Sequence, residues 1–104
     1  MATLQTDEQL QNRFHRLCGE WKEQSKYLSN TAQMAMLWSY QQIIGMGLDA
    51  VPLILAELER ETDHWFWALE AITGENPASD SPAGDVGAAA QAWLEWGRRQ
   101  GLVS

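Results

Sequence analysis

Among the 104 residues, only a few have the chemistry of a reactive or binding site, and their spacing is informative. His15 and Cys18 lie three apart in "FHRLC", the separation at which an imidazole could activate a thiol on one helix face. Cys18 also falls beside Leu17 and Trp21, where a buried, inert cysteine is the commoner outcome. His64 follows Asp63 and is close to Glu61, the start of a base or metal site. Adjacent helical residues do not face each other, however, so a capping or surface role fits His64 better. Glu57 and Glu61, and Glu59 and Glu70, offer carboxylate pairs, but without the Glu-x-x-His repeat of a di-metal helix bundle. "SNT" at 29–31 could hold an anion at a helix N-terminus, although capping alone explains it. "GMG" at 45–47 lacks the strand and third glycine of a nucleotide loop. The expectation is no catalytic residue, no cofactor and no metal.

Composition narrows the partner. Fourteen acidic residues against seven basic ones give a net charge of −7, the wrong sign for direct nucleic-acid binding. That charge serves solubility, and it also suits a partner with a basic face. A single cysteine excludes an internal disulfide and a cysteine-based zinc site. The amino terminus has no positive region followed by an apolar run, and "VPLILA" and "WFWAL" are too short to span a bilayer. The expected setting is cytoplasmic, without membrane contact.

The elements that would position these residues read as helices throughout. Leu10, Phe14, Leu17 and Trp21 recur at helical spacing and predict a first amphipathic helix over about 7–26, with Thr6 and Asp7 as caps. Residues 31–46 fit one irregular helix or two short ones, with Tyr40, Ile43 and Ile44 in the last turn and glycines 45 and 47 closing it. Met34, Met36 and Met46 read as gap-fillers in a core. Pro52 suits the first turn of a helix lined by Val51, Ile54, Leu55 and Leu58, from which Glu57, Glu59 and Arg60 turn to water. Thr62 or Asp63 then caps a helix running to Thr73 and stopped by Gly74. The short link makes these two helices an antiparallel hairpin. "GENPASDSPAGD" at 74–85 is a loop, and Asp85 caps a last helix carrying Val86, Ala89, Trp93 and Trp96. Arg98 and Arg99 complement its dipole and Gly101 ends it. The fold class is all-α, a single domain of four to five helices over 1–104 with a flexible segment at 1–6.

The stretch "IIGMGLDAVPLILAELERETDHWFWALEAITGENP" resembles the helical hairpin of HEAT-repeat proteins, in which a glycine-ended helix is followed by an Ala-Val-Pro-Leu-like opening. From about Leu28 onward the chain also resembles short uncharacterised bacterial proteins sharing "IIGMG", "PDHWFWAL-AITGENP" and "AW-EWG", with Thr62 here in place of their proline. The resemblance implies fold and carries no activity. HEAT units stack to bury each other's faces, so a lone unit needs flanking helices or a partner.

Three aromatics in a row, Trp65, Phe66 and Trp67, cannot share one helix face, because neighbours are about 100° apart. Trp65 and Phe66 read as core and Trp67 as the one left over. The expected function is therefore a non-enzymatic protein-interaction module of the antitoxin, immunity or adaptor kind. Its anchors would be Trp38, Trp67 and Trp96, with an acidic edge at Glu57, Glu61 and Glu70 steering a basic partner or a second copy. The alternative is a small-molecule binder or small enzyme with a Trp-lined pocket and His15 or His64 at its mouth.

Overall fold

The computed structural model describes residues 7–82 and 84–103. The expected flexible segment at 1–6, and Thr6 as a cap, lie outside the described residues. Among the described residues, six α-helices and one 3-10 turn follow in order: α1 (Asp7–Ser25), α2 (Thr31–Met36), α3 (Trp38–Gly45), the turn Gly47–Ala50, α4 (Val51–Arg60), α5 (Phe66–Thr73) and α6 (Val86–Arg99). No strand occurs among the described residues, and the protein is a small all-α bundle.

The α1 helix forms because its apolar residues keep a helical period. Phe14, Leu17, Cys18 and Trp21 are buried on one stripe. Asp7 and Glu8 open it and Lys22 stands in its last turn, both arranged to suit the helix dipole. The stripe lies along α3.

Residues 31–45 are two helices rather than one. Leu37 is extended (φ −61°, ψ 142°) and serves at once as the last cap of α2 and the first of α3. Asn30 starts α2, its Oδ1 accepting from the N–H groups of Ala32 at 2.8 Å and Gln33 at 3.2 Å. Gly47 takes a left-handed φ of 74°, open to glycine at no steric cost, as the chain turns from α3 into the 3-10 segment. The axis changes direction by 111° between α3 and Gly47–Arg60. No single helix among the described residues is long and apolar enough to cross a membrane, and the bent pair buries Tyr40, Ile43, Ile54 and Leu55 in the core.

Pro52 sits in the first turn of α4, where its missing N–H is harmless. The α5 helix is shorter than its sequence pattern suggests. Neither Thr62 nor Asp63 caps it, and His64 lies in the link before it instead of in its first turn. The Asp63 carboxylate accepts from the N–H of His64, and the Asp63 carbonyl from the N–H of Trp65, so residues 63–65 form a tight turn. α4 and α5 meet near this link, while α4 lies chiefly along α6 and α5 chiefly along α3.

The core joins all of these elements around large aromatics. Trp65, Trp21 and Tyr40 are wholly buried, with ring centroids 4.5 Å apart for Trp21–Trp65 and 5.7 Å for the stacked Tyr40–Trp65 pair. Phe14 closes the group 6.0 Å from Trp65. At the other end, Gly97 brings α6 against α4: a Cβ there would lie 2.8 Å from Leu55 Cδ1 and 3.1 Å from Val103 Cγ2.

Gly97 therefore sets a test of that packing. Alanine favours a helix over glycine by about 1 kcal/mol, but overpacking a core costs roughly 1–3 kcal/mol. Gly97→Ala is expected to lower the urea midpoint. Gly87→Ala, on the same helix but meeting only Asp85 Oδ1 at 3.6 Å, is expected to leave it unchanged or raise it.

Candidate functional site

The residues that emerge at the surface do so because of how α5 begins. The helix leaves its first N–H groups without partners, and Trp65 at the cap position offers no side-chain acceptor. The acceptor comes from α3. The Tyr40 hydroxyl oxygen takes the N–H of Ala68 at 2.9 Å and its proton goes to the carbonyl of His64 at 3.1 Å. Burial raises the pKa of that phenol, against the pull of the Ala68 N–H, and the charges of Asp63 and Glu70 raise it further.

With α5 fixed in this way, Trp65 points inward and is 0% exposed, Phe66 is half-buried, and Trp67 is 51% exposed. Trp67 forms one wall of a cleft of about 520 Å³ between α2 and α5. Thr31 and Ala35 of α2 and the buried Tyr40 of α3 line it too. His64, Phe66, Glu70 and Ala71 complete the lining. Trp67 and Glu70 are three apart on α5 and so lie side by side. The Glu70 carboxylate has no hydrogen-bond or ion-pair partner among the described residues, and no lysine or arginine lines the cleft. On its other side α2 borders an apolar groove formed by Leu28, Ala32, Gln33, Met36 and Leu37.

The other sequence-selected residues lie elsewhere. Glu57 does not turn to water: it is 7% exposed and clasped between α1 and its own helix. Lys22 donates to Glu57 Oε2, and Arg60 holds both oxygens, with Nη2 at 2.6 Å and Nε at 3.1 Å. Burial alone would raise the Glu57 pKa, but the contacts with Arg60 and Lys22 outweigh it and hold the carboxyl below its ordinary value. Glu61 joins the same cluster at 3.3 Å from Lys22. These two carboxylates are thus partnered within the chain, Glu57 buried and Glu61 exposed.

Trp38 is 64% exposed at the start of α3 and lines neither the cleft nor the groove. Trp96 is half-buried and packs edge-on to Trp93 at 5.4 Å, part of the wall of the core. His15 is exposed with its ring against Phe14, whereas Cys18 is buried and its thiol is pushed up to about 11 by burial and by Glu57. Burial and the raised pKa disfavour the thiolate, which is the nucleophilic form. No three His, Cys, Asp or Glu side chains among the described residues converge on a metal position.

Ala35 and Tyr40 carry no local signal of a site in the sequence. "SNT" marked the start of α2, and nothing local in it shows that α2 would line a cleft with Trp67.

Two substitutions test these interactions. Tyr40→Phe strands the Ala68 N–H and is expected to cost about 1–3 kcal/mol, read by urea denaturation together with faster amide exchange at Ala68. Glu57→Gln is expected to cost a similar amount, about 1–3 kcal/mol at pH 7. Because the folded carboxyl lies below its ordinary value of 4.5, this stabilisation is complete above that pH and is lost as pH falls through the lower folded value. The gap between wild type and variant should therefore hold down to about pH 4.5 and close below it.

Comparison of the chain with protein-family models, with curated proteins and with solved structures found no match.

Proposed function

We propose that this protein is a non-enzymatic protein-interaction module, acting in a bacterial cytoplasm, that recognises its partner through the surface around α2. The observation that carries this reading is the position of Trp67. It stands half-exposed in a cleft wall, while Trp21, Trp65 and Trp93 are wholly buried. Tryptophan is among the residue types enriched at the anchor positions of protein interfaces. Met36, 68% exposed on the other flank of α2, and Leu28 and Leu37 beside it extend the apolar surface available to a partner.

The charge distribution favours a basic partner. Lys22, Lys26, Arg60 and Arg98 each face a carboxylate of their own chain, so the excess negative charge remains to steer association. The HEAT resemblance fits this role. In a solenoid, neighbouring repeats cover each unit; here helices of the same chain do so, α1 lying along α3 and α6 along α4. A unit closed by its own helices meets a partner through what they leave open. An acidic module of this type would serve as an antitoxin, immunity or adaptor protein.

One observation favours a second reading. A cleft of about 520 Å³ falls within the range of roughly 300–1,000 Å³ usual for small-molecule sites, and His64 lies at its edge. A small ligand held there would make the protein a binder of a metabolite.

The deciding experiment is native capture of the tagged protein from its host, followed by reconstitution with the purified captured partner. The interaction reading expects a stoichiometric complex whose affinity falls at least about 30-fold in Trp67→Ala, as for an anchor residue, with an unchanged circular-dichroism melt. Self-association would appear as a dimer mass lost in the same variant. A bare monomer in every preparation overturns the module and moves the test to a metabolite panel.

A further inference from the structure

Resting on that interaction reading, we infer that the α2–α5 cleft receives an arginine side chain of the partner, its guanidinium lying against Trp67 and paired with Glu70. Four features of the cleft point to a cation of this shape.

The carboxylate of Glu70 has no hydrogen-bond or ion-pair partner among the described residues, in contrast to Glu57 and Glu61. Its placement three residues after Trp67 sets a negative charge beside an indole, the pairing that attracts a cation to a ring face and gives it a counter-charge. No lysine or arginine of the chain lines the cleft, so the position is not taken from within. The negative field also reaches the buried Tyr40, where Asp63 and Glu70 both favour the neutral form of the hydroxyl.

An anion fits poorly. Asn30 already holds the N–H groups of Ala32 and Gln33 at the start of α2, and Glu70 would repel an anion. A purely apolar plug fits poorly as well, because it would strip water from Glu70, His64 and Thr31 without replacing their hydrogen bonds. Between the two basic side chains, arginine suits the site better. Its planar guanidinium stacks on an aromatic face while presenting paired donors to a carboxylate, which an ammonium cannot do.

The test is an NMR titration of the full chain with the tripeptide acetyl-Gly-Arg-Gly-amide and with its citrulline counterpart, which keeps the shape and removes the charge. The arginine peptide is expected to move the Trp67 indole N–H and the Ala71 amide saturably, with the citrulline peptide weaker by at least about tenfold. Glu70→Gln is expected to abolish that difference. Glu75→Gln, the same charge change outside the cleft, should preserve it. Equal shifts with both peptides, or none with either, overturn the inference.

The captured partner separates this failure from failure of the module. If the partner binds Glu70→Gln as tightly as wild type but loses affinity for Trp67→Ala, the arginine assignment falls and the interaction reading stands. Saturable arginine-peptide binding by a protein that captures nothing keeps the cation chemistry and overturns the interaction reading.

Discussion

The accessible surface of this protein depends on one hydroxyl group. α5 starts without a cap of its own, at a residue whose side chain is an indole committed to the core. Tyr40, from α3, supplies the missing acceptor and at the same time ties down the carbonyl of His64. A phenol can do this because it both donates and accepts, and its ring stacks on Trp65, the residue at the cap position. The polar contact fixes where the helix begins, and the stacking fixes its rotation. Once both are set, successive residues are distributed by the helical period alone: Trp65 inward, Phe66 at the side, Trp67 outward.

The arrangement has a cost. The indole N–H groups of Trp65 and Trp93 are buried without a hydrogen-bond partner among the described residues, whereas that of Trp21 donates to the carbonyl of Met34 at 2.9 Å. A stranded donor of this kind costs about 1–3 kcal/mol. Three aromatic neighbours of Trp65 act in the other direction, since a fully buried tryptophan is worth roughly 3–5 kcal/mol relative to alanine. At Trp65 packing wins, which explains how a core this rich in indole tolerates a stranded donor there.

Much of the fold was legible because its signals are local. The stripe of Phe14, Leu17 and Trp21, the cap at Asn30, Pro52 in a first turn, Gly74 at a helix end and Asp85 before α6 each act within a few residues of themselves. What remained hidden is tertiary. Glu57 has the look of a solvated helix face, and only the approach of Lys22 from α1 turns it into a buried ion-pair centre. The late start of α5 was invisible because its cap lies 28 residues away in sequence. For the cleft, the spacing of Trp67 and Glu70 could be read, but the lining from α2 could not.

Glu57 and Glu70 show how one residue type takes two roles in a chain carrying a net charge of −7. Where helices α1 and α4 meet, a lone carboxylate would have been expensive to bury, and two cations surround it. In the cleft Glu70 is exposed, so its side chain keeps its hydration without a partner among the described residues. That economy lasts only while water has access. Any group that closes the cleft must either bring a positive charge or remove hydration from a carboxylate with nothing in return. The same desolvation that forces Glu57 into a pair within the chain would thus select, at Glu70, the charge of whatever binds from outside.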